Sequence, residues 1–327
     1  MRNGVTEQKT SFKAGFCGII GRPNVGKSTF LNHVLGQKLA VVTPKPQTTR
    51  NRILGVKNVP GAQVVFVDTP GVHRGKSELN RYMVEEAFRA MSEVDALVFM
   101  VEAPQVSAED VEGKPFHVGE GNELIVNKLR EEKKPTVLAI NKIDLLRNKN
   151  TLLPLIDGWR QAYPFAEIVP MSVTTGLGIA EVLEATVRLL PEGQPLFPEE
   201  MVTDRAERFL VAELIREQIF LLLREEVPYA TAVTVEGWTE ARSRDEEGAS
   251  DDERGGAVTI EATIHVERES QKGIVIGKGG SMIKQIGMRA RQEIERLLRC
   301  RVHLKLFVKV DPDWSKDAGA LRRLGYI

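Results

Sequence analysis

Residues 21 to 28, Gly-Arg-Pro-Asn-Val-Gly-Lys-Ser, combine types and spacing suited to gripping a polyphosphate. Glycines at 21 and 26 let backbone N–H groups of Asn24, Val25, Gly26 and Thr29 converge on phosphate oxygens at the positive end of a helix. Lys27 has the reach and charge for the β- and γ-phosphates, and the Ser28 hydroxyl suits Mg²⁺. An apolar run, Phe16 to Ile20, precedes the glycines, and residues from Ser28 onward follow with helical spacing. Strand, turn and helix in that order are the setting a phosphate loop requires; the plainer reading is a tight turn with no ligand.

Downstream residues supply the rest of a guanine nucleotide site. Val41 to Arg50, rich in Pro and Thr, reads as a loop, from which Thr49 (or, as the alternative, Thr48) would add a metal ligand and sense the γ-phosphate. Residues 62 to 71 form an apolar strand ending in Asp68-Thr-Pro-Gly71: the carboxylate suits an outer-sphere Mg²⁺ contact, and the Gly71 N–H suits the γ-phosphate. A further strand, Thr136 onward, ends in Asn141-Lys142-Ile-Asp144. There Asp144 would accept hydrogen bonds from N1–H and the 2-amino group of guanine, and adenine would leave that carboxylate unpaired. Lys142 would lie along the base, while Ser172 and the Val173 backbone, after the strand Glu167 to Val173, would meet the guanine oxygen.

Val72 follows Gly71 where many small GTPases place a glutamine that orients the attacking water. In this respect the chain is similar to the translation-factor-related GTPases with an apolar residue at that position. That likeness implies K⁺ held by Asn24, lending positive charge to the transferred phosphoryl group. The catalytic set is then Asn24, Lys27, Thr49 and Gly71, with Ser28, Thr49 and Asp68 at the metal.

The second half has a different chemistry. A Pro/Gly-rich joint, Pro191 to Pro198, separates residues 1–192 from 205–327, with 193–204 as linker. Arg205 to Glu226 is amphipathic, and Thr231 to Trp238 reads as a strand. Val258 to Val266 alternates apolar and polar residues, as a half-buried strand does. Gly277-Lys278-Gly279-Gly280 then introduces a helix carrying Lys284 and a last strand, Val302 to Val310. A glycine turn between helices, with a basic residue inside it, matches the KH module, whose turn clamps a single nucleic-acid strand. A second phosphate loop is the competing reading, but no Lys-Ser pair follows. Helix, strand, strand, glycine turn, helix, strand is the type II order. The expected fold is therefore a doubly wound, mostly parallel α/β P-loop domain followed by a smaller α+β type II KH domain.

Over 327 residues, 45 basic and 45 acidic side chains balance, and 42% of residues are hydrophobic, as in a soluble two-domain protein. Neutrality hides an uneven distribution, because residues 245–253 are acidic and 270–310 strongly basic. Two distant cysteines, Cys17 and Cys300, offer no disulfide framework or metal spacing. The polar N-terminus has no apolar signal core, which leads to an expected cytoplasmic location. The long 103–122 and acidic 245–253 segments read as solvated insertions.

Taken together, the phosphate loop, Gln47-Thr-Thr-Arg50, Asp68-Thr-Pro-Gly71, Asn141-Lys-Ile-Asp144, Arg216-Glu-Gln-Ile-Phe220, Gly277-Lys-Gly-Gly280 and Val308 to Trp314 resemble the Era family of bacterial GTPases over nearly the whole length. The resemblance implies GTP binding and hydrolysis to GDP with Mg²⁺, and RNA contacts from residues 277–280 and Lys284. It also implies binding to the 3′ end of 16S rRNA and the 30S subunit during ribosome assembly, as a monomer. A membrane-associated signalling GTPase, peripheral on the inner membrane face through the 205–226 helix, is the alternative.

Overall fold

A computed structural model describes residues 11–73, 77–103, 116–241 and 257–326. Most of the two insertions and the N-terminal ten residues lie outside the described residues. The chain divides into two compact units: residues 1–37, 52–72 and 86–204 form the first, and residues 38–51, 73–85 and 205–327 the second. The change at 204/205 falls at the end of the 193–204 stretch, six residues beyond the proline-rich joint. Two short segments from the N-terminal half nevertheless belong to the C-terminal unit, which no composition shift announces.

The first unit is a six-stranded sheet in the order β2-β3-β1-β4-β5-β6. Its strands are β1 (Lys13–Gly21), β2 (Ile53–Val59), β3 (Ala62–Asp68), β4 (Ala96–Glu102), β5 (Thr136–Asn141) and β6 (Glu167–Pro170). All neighbours are parallel except β2 and β3, an antiparallel hairpin closed by Pro60-Gly61. Every residue of β3 and β5 is buried, which explains why these strands read as largely apolar runs without alternation, Gln63 being the one polar residue inside them. The helices α1 (Lys27–Leu35), α3 (Glu120–Glu132), α4 (Leu152–Ala162) and α5 (Ile179–Leu189) alternate with the strands, as a doubly wound sheet requires. The helix α2 (Glu78–Glu93) lies between β3 and β4 in sequence. Cys17 is fully buried in β1, and burial pushes its thiol up to about 12, so it serves as a small packing residue.

Residues 193–204 do not hang free. Gln63 bonds the backbone of Leu196 and Phe197, the Val56 N–H donates to Val202, and Asn58 reaches the Glu199 carbonyl. The segment is strapped to the β2–β3 edge and belongs to the first unit.

In the second unit, α6 (Glu207–Leu222), α7 (Glu269–Ile276) and α8 (Ser281–Leu298) accompany a sheet ordered β7-β8-β9. Its strands are β7 (Thr231–Ala241), β8 (Ala257–Val266) and β9 (Arg301–Val310); β8 runs antiparallel to β7 and parallel to β9, the type II pattern. Ten of the sixteen α6 residues are buried, so most of its apolar surface is core, with Leu221 left exposed. No helix among the described residues is long and apolar enough to cross a membrane.

A satellite cluster holds the chain's end. Trp314 is fully buried with Leu79, Met83, Ala232 and Leu321, stacks on Tyr326 at 5.8 Å, and donates its indole N–H to the Ala230 carbonyl at 3.1 Å. Arg50 lies over both rings, at 5.4 Å from Trp314 and 5.6 Å from Tyr326. Replacing Trp314 by Ala removes a large core side chain and one hydrogen bond. The full chain should lose about 3–5 kcal/mol of stability, measured by urea unfolding followed by circular dichroism; a loss within error of zero would show that the cluster carries little.

Candidate functional site

At the carboxyl ends of β1, β5 and β6 three loops converge, where an open parallel sheet binds its ligand. The phosphate loop leaves β1 and enters α1 with Gly26 as N-cap, at φ 106°, a backbone state that disfavours any side chain. A Cβ there would also stand 2.4 Å from the Asn141 amide nitrogen. Gly71 is held as closely: its Cβ would meet the Pro23 backbone at 2.7 Å, so only glycine brings the end of β3 against this loop.

Lys27 is buried, and its ammonium donates to the Gly21 and Arg22 carbonyls at 3.2 and 3.0 Å. Burial drives its pKa down to about 8, partly offset by Asp68. The Ser28 hydroxyl donates to Asp68 Oδ2 at 2.6 Å, and the Asp68 carboxylate is fully buried. One hydroxyl and one carboxylate, hard oxygen donors side by side, fit Mg²⁺. Thr29 is half-buried in the first turn of α1, and Asn24 is exposed at the loop's tip with φ 63°. Val72 is buried among Ile20, Val67 and the apolar residues of α2 and β4, so its side chain reaches no water at the phosphate.

Asn141 does more than its sequence position announces. Its Nδ2 donates to the Val25 carbonyl at 2.7 Å, and its Oδ1 accepts the Val173 N–H at 3.0 Å. The Val173 amide, expected on the guanine oxygen, is thus committed to Asn141. Ser172 is buried, and its hydroxyl accepts the Thr175 N–H at 3.3 Å, shaping the 172–177 turn. Lys142, at φ 65°, turns outward to pair with Glu102 at 2.6 Å. Asp144 sits exposed in the short 3₁₀ turn Ile143–Leu145, its carboxylate presented to solvent as a base-reading group should be.

Thr48 and Thr49 lie in the second unit, where the 38–51 segment is fastened to α6. Lys38 pairs with Glu217 at 2.5 Å and with Glu293 at 3.2 Å, and the Val42 N–H donates to Glu217 at 3.1 Å. Lys45 donates to the Phe220 and Leu223 carbonyls at the end of α6. Arg216, itself buried and paired with Glu213, donates to the Thr48 carbonyl. Arg50 donates to the Thr231 and Tyr229 carbonyls and to the Tyr326 hydroxyl. Thr49 is 5% exposed. These anchors escaped sequence reading, although charged residues on the apolar side of α6 were the available signal.

The glycine turn joins α7 to α8. Gly277 (φ 73°) packs so closely that a Cβ would stand 2.7 Å from Met282, whereas Gly279 and Gly280 face open space. Lys278 and Lys284 are exposed, beside half-exposed Ile274 and Met288. This is the clamp arrangement expected for a single strand: bare backbone flanked by cations and apolar contacts.

A family model described as a 50S ribosome-binding GTPase matches residues 16–142, and a KH domain model matches residues 240–315. The chain is 50% identical over 315 residues to "GTPase Era" of Geobacter metallireducens, covering 96% of this chain and 98% of that protein. It is 49% identical to the protein of the same name from Syntrophus aciditrophicus, covering 96% and 95%. A crystal structure of Era in complex with MgGDPNP and nucleotides 1506–1542 of 16S ribosomal RNA superposes with a TM-score of 0.85 at 40% identity, covering 96% of this chain and 99% of that one.

Lys27 generates a test by pH. In the free chain its ammonium loses the proton near pH 8, and bound phosphates would keep it charged. Because the depressed pKa is raised on binding, GDP affinity should be flat below about pH 7 and weaken above about pH 8 by up to tenfold per unit. Calorimetry at pH 8.5 should show proton uptake on binding; no uptake would remove Lys27 from that role.

Proposed function

The chain belongs to the Era family of GTPases, and from that premise we propose that it hydrolyses GTP while its C-terminal unit grips the 3′ end of 16S rRNA during 30S subunit maturation in the cytoplasm. The observation that carries the coupling is the membership of the 38–51 segment. This stretch, which bears the γ-phosphate-sensing Thr49, is built into the same compact unit as the RNA-gripping turn.

GTP is bound by the loops already described. Lys27 and the α1 amide end neutralise the phosphates. Asp144 accepts from the guanine edge, and the Asn141 bridge holds phosphate loop and base loop at one spacing. Ser28 and Asp68 would hold Mg²⁺, with Thr49 the expected further ligand, and the ion would supply positive charge to the phosphates. Water adds to the γ-phosphorus, its bond to the bridging oxygen breaks, and GDP leaves with that electron pair while phosphate departs. With Val72 buried, no side chain at that position aligns the water, so catalysis depends on charge at the phosphate. Asn24 at the loop tip is the residue to hold K⁺ there.

Loss of the γ-phosphate removes what Thr49 and Gly71 sense. Thr49's neighbour Thr48 is tied by Arg216 to α6, the helix on which the RNA module is packed, so nucleotide state and RNA grip bias one element. The burial of ten α6 residues favours a packing role for this helix over a lipid-facing one.

Two experiments bear on this reading. Asp144→Asn should weaken GTP binding by on the order of a hundredfold and favour xanthosine triphosphate, whose 2-oxo group accepts from the new amide; unchanged guanine preference would refute the assignment. Steady-state phosphate release should be faster in KCl than in NaCl, and the difference should vanish in Asn24→Ala. Equal rates in the two salts would exclude the K⁺ site.

A further inference from the structure

The strand β9 has two chemically distinct faces. Val302, Leu304, Leu306, Val308 and Val310 point into the core, and Leu306 lies under Gly287 of α8. Arg301, His303, Lys305, Phe307 and Lys309 alternate with them and are all exposed. Phe307, at 53% exposure, is a large apolar side chain left in water between two lysines on the same face. β9 contains no acidic residue, and where the strand begins Arg291, Arg299 and Arg301 line a recess with one carboxylate, Glu295, which accepts the Val302 N–H at 3.1 Å. On β8 the residues in register are Thr259, Glu261, Thr263 and His265, and the only carboxylate among them is paired with Lys305 at 2.9 Å. Glu236 and Glu240 are exposed on β7, at the other side of the sheet, so the positive track runs along β9 and not across it.

We propose that this outer face of β9 is a second RNA platform, on which unpaired nucleotides flanking the clamped ones lie with a base stacked on Phe307 and phosphates on Arg301, Lys305 and Lys309. The inference rests on the RNA reading above and extends it. An aromatic ring set among cations on a sheet face is how single strands are held without regard to sequence. A protein partner would need a contiguous apolar patch, and this face offers one ring. A KH turn clamps only about four nucleotides, and ten residues of strand offer on the order of 30 Å of further track, which a flexible single strand leaving the clamp reaches by passing round β9, an edge strand of the sheet.

The test uses the full chain with GTP analogue and two RNAs. One is an oligonucleotide of about six residues matching the 16S 3′ end; the other is the same RNA with short unpaired uridine extensions on both sides. The wild-type chain should bind the extended RNA more tightly. Phe307→Ala should cancel that gain, a loss of about five- to a hundredfold, while leaving the short RNA within twofold. Phe307→Trp should keep the gain. Replacing Lys305 and Lys309 by Gln should flatten the salt dependence for the extended RNA by about 0.7 per lysine and leave that for the short RNA unchanged. Equal affinity of the wild-type chain for both RNAs, or a parallel loss of both in Phe307→Ala, would overturn the platform but not the clamp. A wild-type chain that binds neither RNA would overturn both.

Discussion

A single buried amide sets the geometry of the nucleotide site. Asn141 ends β5, two strands from β1 in the sheet, and its side chain bonds Val25 of the phosphate loop and Val173 of the base loop at once. Both bonds form out of water, where an unmet donor or acceptor costs about 1–3 kcal/mol. Neither loop can therefore drift without breaking a bond that solvent does not replace. The glycine at 26 follows from the same contact, because the amide occupies the space a side chain would need. The spacing of the two loops is thus fixed by one side chain. This is the pre-organisation that lets binding energy be spent on recognition.

A second constraint lies in α6. Glu213, Arg216, Glu217 and Gln218 are buried on a helix whose other contacts are apolar. Burying charges is unfavourable unless they are paired, and apolar replacements often serve stability as well or better. Here every pairing involves either a helix neighbour or the 38–51 segment: Glu213 with Arg216, Glu217 with Lys38 and Val42, Arg216 with Thr48. Directional bonds of this kind hold a segment in one register. Hydrophobic packing alone would hold it without that discrimination.

Charge is distributed to match. The chain as a whole is neutral, while the stretch from the glycine turn through β9 is basic. Lys278 and Lys284 stand at the clamp, and the cations of β9 stand on the face away from the helices. A strand's period of two allows one segment to pack the core with one face and present cations on the other, which a helix of the same length would do over a narrower stripe.

The sequence alone determined what depends on local order: the strand–glycine–helix of the phosphate loop, Asp68 and Gly71 closing β3, Asp144 after β5, the type II order of the second half, and the alternation of β8. Each is written in neighbouring residues because backbone conformation and strand period are short-range properties. Only the tertiary structure decided the rest. The hairpin strand β2 was hidden because its partner, not its own composition, makes it a strand, with Pro60-Gly61 the sole local sign. The second job of Asn141, the commitment of the Val173 amide, and the membership of residues 38–51 and 73–85 in the C-terminal unit join positions between 32 and more than 270 residues apart. Such contacts are chosen by the burial and hydrogen-bond satisfaction of the whole fold, which no window of sequence contains.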